Sequence, residues 1–302
     1  MIYEEETALL RRGLFDVQNS VGLGRHEEIY HKALAMWLET QGIPFVSKHP
    51  HPLILNGETA HVLYPDFVVW NKFTVELKAF PHRLQSSENV QLFNYLKCRN
   101  DKLGLLVNMG LDRVHAKRII YEPNNCECIE DWTYWNAQIN GTDRDLGLQV
   151  RDVLRNIVDV HKTGYGTEIT ERLISFGLKQ KGLKVLSTPV GASVFQGQEL
   201  GKTPFDCLLI ENRLLLVFTA LFDDNQFNFH RGLSFMTALN IPWGIAMNFG
   251  KETIQMQGLA IGTTSVGSAS HPWDNHNKTS VGRLCHPRGI SKGETGNDMC
   301  NG

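Results

Sequence analysis

The chain has 302 residues, 42% of them hydrophobic and 21% charged, with a formal net charge of -2. That length suits two domains of ordinary size, and the composition describes a soluble globular protein. A charge this close to zero excludes a basic footprint spread over the whole chain.

The start, Met1-Ile-Tyr-Glu-Glu-Glu, is acidic and lacks the basic and apolar segments of a secretory signal. The longest apolar stretch, Leu214 to Phe222, is broken only by Thr219 and is too short to span a bilayer. Six scattered cysteines point to a reduced, cytoplasmic protein. Cys126-x-Cys128 lacks a second close pair and reads as incidental or structural rather than as a zinc or iron–sulfur motif.

In chain order, apolar periodicity predicts a helix from Glu5 to Ser20, ended by Gly22-Leu-Gly24. Tyr30, Ala33, Leu34, Trp37 and Leu38 mark a second helix that stops at Gly42. Strands follow over Pro44–His49 and Pro52–Leu55, with Asn56-Gly57 as a hairpin signal. Further strands are expected over His61–Trp70 and Phe73–Ala79, then a helix over Ser86–Arg99. A buried strand over Leu103–Met109 and an edge strand over Arg118–Tyr121 complete a mixed sheet flanked by helices, an α/β domain. Between Lys97 and Arg118 six cations face only Asp101 and Asp112, a local excess that reads either as a solvated face or as a phosphate-contacting patch.

The series then repeats. A shift of 140 positions lays Gly24, Gly42, Gly57, Gly104 and Gly110 on Gly164, Gly182, Gly197, Gly244 and Gly250. With 27 glycines in 302 residues, one given glycine finds another by chance about one time in ten, so five matches indicate two copies of one fold in tandem. Asp66, Asn108 and Leu14 fall on Asp206, Asn248 and Leu154. The expected organisation is a first domain over 1–122, a linker over 123–145, a second copy over 146–258 and a tail over 259–302. From Gly262 onward that tail is polar and aperiodic and is expected to be disordered. Trp132, Tyr134 and Trp135 suggest that part of the linker packs on a domain.

Strand alternation over Phe73–Ala79 projects Thr74, Glu76 and Lys78 from one face. Asp66 lies at the mouth of the preceding strand, in Tyr64-Pro65-Asp66. Two carboxylates and an ammonium converging on a sheet edge suit a hard divalent cation and an anionic substrate, with magnesium or manganese favoured by oxygen ligands. A solvated Glu–Lys pair is the plain alternative. Glu27 shares the apolar face of the second helix with Tyr30, where a carboxylate is costly unless neutralised. Gln91 and Tyr95, four apart, lie on one side of the third helix.

Gly24-Arg-His-Glu27-Glu-Ile-Tyr30 resembles the signature of the GxxExxY proteins, a branch of the PD-(D/E)xK nuclease superfamily. Tyr64-Pro65-Asp66, Val75-Glu76-Leu77-Lys78-Ala79 and Gln91-Leu-Phe-Asn-Tyr95 look like that superfamily's core motif with its QxxxY extension. Leu103 to Gly110 and Lys117-Arg118-Ile-Ile follow in the same order, so the likeness covers about residues 5–121. It implies a restriction-endonuclease-like core and divalent-metal hydrolysis of phosphodiesters in nucleic acid, DNA foremost. Asp66 and Glu76 would hold Mg2+ or Mn2+, with Glu27 a further ligand directly or through water. Lys78 would orient or activate the attacking water, and Gln91 and Tyr95 would position the lysine and the substrate backbone.

In the second copy the constant shift puts Leu216 and Phe218 at Glu76 and Lys78, and a one-residue realignment puts Val217 and Thr219 there. Glu27, Tyr30, Gln91 and Tyr95 become Thr167, Thr170, Arg231 and Phe235, leaving Asp206 as the one surviving acid. The expectation is therefore an active first copy paired within the chain with a silent second one. The rivals are a non-catalytic nucleic-acid-binding or scaffold protein and a hydrolase of small phosphoesters.

Overall fold

Two helices open the chain, α1 (Glu4–Val21) and α2 (Glu27–Thr40). The computed structural model describes residues 3–261 apart from 124, 125, 137, 138, 223 and 252, so the expected disorder of the tail lies outside the described residues. Leu10, Leu14 and Val17 recur every three or four positions on α1 and are buried. Gly22, at φ 79°, ends that helix, and the Tyr30 hydroxyl donates to the Gly22 carbonyl oxygen at 2.7 Å, fixing the entry to α2. The helices cross at Gly13, where a Cβ would come within 2.6 Å of the Trp37 ring.

The first sheet is ordered β1 (Phe45–Ser47), β4 (Phe67–Val69), β5 (Phe73–Lys78), β6 (Leu103–Asn108), β7 (His115–Ile120). Only β5 and β6 run parallel, joined through α3 (Ser86–Arg99); the other neighbours are antiparallel. The single strand expected over His61–Trp70 is two. β3 (Glu58–Leu63) pairs with β2 (His51–Leu55) in a separate ribbon, while β4 enters the sheet. The break falls at Tyr64-Pro65-Asp66, where Pro65 has no amide to continue a ladder. Asn56 and Gly57 turn the ribbon with φ 52° and 81°, the conformation that two-residue hairpins require.

The same order and pairing recur in the second half. Helices α5 (Gly141–His161) and α6 (Thr167–Gln180) lead into a sheet ordered β9 (Val185–Ser187), β12 (Leu208–Ile210), β13 (Leu214–Ala220), β14 (Trp243–Phe249), β15 (Thr253–Ala260). Again only the central pair, β13 and β14, is parallel among these five, and again a helix, α7 (Asn225–Leu239), joins it. A ribbon of β10 (Val190–Phe195) and β11 (Gln198–Pro204) stands where β2–β3 stands in the first half. The stretch expected as a linker is ordered in part. β8 (Glu127–Asp131) adds a sixth strand beside β15, and the short α4 (Thr133–Asn136) carries Trp135, whose indole N–H donates to the Gly244 and Leu259 carbonyls at 3.0 and 3.2 Å.

Apolar burial links the halves. Phe73, Val75 and Leu77 pack with α1 and α2 in one cluster, whereas Leu53, Leu55 and Leu63 of the first ribbon share a cluster with Leu173, Ile174 and Leu178 of α6. Asn56 Nδ2 donates to Gln180 Oε1 at 2.9 Å, and the Gly166 amide donates to Asn94 Oδ1 at 2.8 Å. The Lys97 ammonium sits 4.8 Å from the Tyr165 ring centroid, and Arg99 pairs with buried Asp101 at 2.8 Å. Two of the six cations between Lys97 and Arg118 are thus used inside the fold. Among the described residues no helix is long and apolar enough to cross a membrane.

Candidate active site

The alternation of β5 divides its side chains as the sequence predicts. Phe73, Val75 and Leu77 enter the core beneath α1 and α2, and Thr74, Glu76 and Lys78 occupy the opposite face, on the side of α3. Glu76 is only 2% exposed, and Asp66 and Lys78 are also buried. Lys78 Nζ donates to Glu76 Oε1 at 2.8 Å. The Asp66 amide approaches Glu76 Oε2 at 3.5 Å, and the Leu77 amide donates to Asp66 Oδ2 at 2.8 Å. The broken strand therefore sets Asp66 against the middle of β5, beside Glu76.

The electrostatics follow from that crowding. Burial, then the charge of Asp66, pushes the Glu76 carboxyl up to about 8 despite the lysine beside it. Burial pulls Lys78 down, but Glu76, Glu27 and Asp66 outweigh it and hold the ammonium above its ordinary value. Glu27, half-buried at the first position of α2, is raised by burial, lowered by Lys78 and raised again by Asp66. Gln91 Nε2 donates to the Tyr95 hydroxyl at 3.0 Å. Burial and then the charge of Glu76 raise the Tyr95 phenol, which keeps its proton.

Glu27 lines a cleft of about 400 Å3 with Gly24, Arg25, His26, Ala79, Phe80, Pro81 and Gly110; Asp66, Glu76 and Lys78 are not in its lining. Among the described residues no three His, Cys, Asp or Glu side chains are grouped so as to hold a metal ion. Asp66 and Glu76 nevertheless fit a hard cation as donors, since a divalent charge would relieve the repulsion and burial that keep Glu76 protonated. The charges of Lys78 and Asp66 both act on the Glu27 carboxyl.

Two contributors escape the sequence reading. Asn108, fully buried on β6, accepts from the Phe80 and Gly110 amides at 3.0 Å each and donates to the Phe80 and His82 carbonyls at 3.1 and 2.8 Å. It pins the segment after β5 that walls the cleft. Its match with Asn248 was the available signal. His31 Nε2 lies 3.3 Å from the Asp66 carbonyl and 3.0 Å from Ser47 Oγ, its ring stacked on Phe67 at 4.3 Å; no pattern in the sequence marks it.

The second half lacks this equipment, and strand register corrects two expectations. Ser47 pairs with Phe67 and Ser187 with Leu208, so one extra residue lies between Thr203 and Leu208. The Lys48 amide meets the Asp66 carbonyl as the Thr188 amide meets that of Cys207. Cys207, not Asp206, is the structural counterpart of Asp66, and no acid survives. The displaced Asp206 has 64% of its side chain exposed and pairs with Arg231 at 3.3 Å. On β13, Val217 and Thr219 stand at Glu76 and Lys78, because Lys78 pairs with Asn108 and Thr219 with Asn248. Leu216 and Phe218 face the opposite core, so neither replaces the polar face. Thr219 Oγ1 donates to Asn248 Oδ1 at 2.7 Å, and buried Cys207 packs with Leu215 and Val217.

None of the curated proteins compared with the chain matches it. Residues 4–119 match the family model described as the PD-(D/E)XK nuclease superfamily, so this part of the chain is similar to that superfamily.

Proposed function

We propose that residues 1–122 hydrolyse phosphodiester bonds in nucleic acid, DNA foremost, as a nuclease of the GxxExxY type using Mg2+ or Mn2+. The observation that carries this reading is the buried group of Asp66, Glu76 and Lys78, with Glu27 in their field. Asp66, Glu76 and Glu27 would hold the ion, which when bound supplies positive charge that eases deprotonation of water and offsets charge on the phosphate. Lys78, protonated and tethered to Glu76, orients the attacking water and faces the charge that develops on the phosphate oxygens. Gln91 and Tyr95, joined by a hydrogen bond, would position the lysine and the substrate backbone.

Residues 146–258 are, in this reading, the silent product of a tandem duplication, paired with the first copy through the 123–145 segment, with a tail beyond 258. Their role is to cover the apolar surface of the first copy and extend its substrate contacts. A cytoplasmic setting agrees with the free thiols of Cys98, Cys128 and Cys207.

A non-catalytic, nucleic-acid-binding scaffold is the second reading, favoured by the closed Glu76–Lys78 pair and by the lack of a three-acid cluster among the described residues. Cleavage assays on DNA, RNA and mononucleotide esters with Mg2+, Mn2+ or chelator separate the readings. The nuclease reading expects chelator-sensitive cleavage of a polynucleotide that Lys78→Ala abolishes. No cleavage of any substrate with either ion, in protein that still binds DNA, leaves the scaffold.

A further inference from the structure

The two ribbons occupy equivalent places but meet different fates. Both carry their bulge at the same point, between Leu53 and Ile54 and between Ser193 and Val194, so Leu55 corresponds to Phe195 and Ala60 to Leu200. Leu55 is fully buried against α6, where its side chain comes within 3.2 Å of a Cβ built on Gly177. Phe195 and Leu200 are 62% and 70% exposed. The base of the second ribbon is held by Phe205, stacked on Phe235 of α7 at 4.6 Å. Its tip leaves a two-stranded ribbon that is marginal by itself.

The receiving helix is duplicated too, although the Gly177 position that takes Leu55 is filled on α2 by Trp37, whose ring lies over Gly13. On α6 the first ribbon covers the stripe containing Ile169 and Leu173, 4% and 1% exposed. The same positions on α2 are Ile29 and Ala33, with Met36 one turn on, and Ile29 and Met36 are 44% and 67% exposed. If the two halves met symmetrically, β10–β11 would lie on α2 of the same chain and both surfaces would be covered. Both are open, so the contact between the halves is heterologous, and such a contact leaves one donor and one acceptor free.

We propose that this chain associates head to tail with a second copy of itself, the β10–β11 ribbon of one molecule seated on α2 of the next as β2–β3 is seated on α6. The inference rests on the repeated architecture and is independent of catalysis. Gln196, at the position of Asn56, carries an amide to the region of Thr40, which stands where Gln180 accepts from Asn56. The contact is open-ended, so it builds chains or rings rather than a closed twofold dimer.

Sedimentation of the full chain across a concentration series should reveal reversible association. Phe195→Ser with Leu200→Ser, and separately Ile29→Lys with Met36→Lys, should each weaken it about tenfold or more. Mixing the two double variants should restore a single step, because one keeps a free helix face and the other a free ribbon. Amide exchange in the unmutated protein should slow with concentration at residues 194–200 and 29–37. A monomer at every concentration, association that survives in both variants, or a mixture no better than its components would overturn the proposal.

Discussion

Glu76 is a carboxylate placed where ionisation is unfavourable, and its pH dependence can be derived. Its folded value of about 8 lies above the ordinary 4.5, so the folded state binds the proton more tightly than the unfolded one. Stability from this group is complete below about 4.5 and is lost as pH rises toward 8. Glu76→Gln should therefore flatten the fall of urea-measured stability between pH 5 and 8, while abolishing cleavage. In the unmutated protein Mg2+ or Mn2+ should raise the Tm, and in the variant it should not. Equal pH slopes in the two proteins would show that Glu76 ionises freely. Tyr95→Phe removes the acceptor of the Gln91 amide at a cost of about 1 kcal/mol and should lower kcat with little change in Tm, measured side by side.

The segment Ala79–His82 owes its path to β6 rather than to its own residues. Asn108 makes four hydrogen bonds to it and to Gly110, and a Cβ on Gly110 would come within 2.5 Å of the Phe80 carbonyl oxygen. Asn108→Ala should cost about 2–3 kcal/mol by leaving buried backbone groups unpaired. Gly110→Ala should loosen the same segment by pushing the backbone away. Both should speed amide exchange at Phe80 and reduce cleavage while leaving α1 and α2 protected; unchanged exchange at Phe80 would show that another contact holds the cleft wall. Most elements here were legible: α3 begins and ends where its periodicity says, and the Asn56-Gly57 turn takes the backbone its residues prefer. The split of β3 from β4 was not, because an apolar run with one proline does not say which sheet each end will join.

In the whole molecule the first half alone leaves an open surface. Leu53, Leu55 and Leu63 lie against α6, and burying one such side chain contributes about 1.5–3 kcal/mol. A chain of residues 1–125 should melt below the full protein and bind an apolar dye strongly, even with Asp66, Glu76 and Lys78 intact. Full activity and an unchanged Tm for that truncated chain would remove the second half from any structural role. The sequence by itself determined the repeated α/β order and which face of β5 carries Glu76 and Lys78, because strand alternation, helical spacing and turn residues act over a few positions. Tertiary structure alone decided which residues replace that set in the second half. One extra residue between Thr203 and Leu208 shifts Asp206 out of line, and only hydrogen-bonded register reveals a slip of that size. It also decided that one ribbon is covered and its twin exposed, since long-range apolar burial depends on where the two halves meet and not on any local pattern.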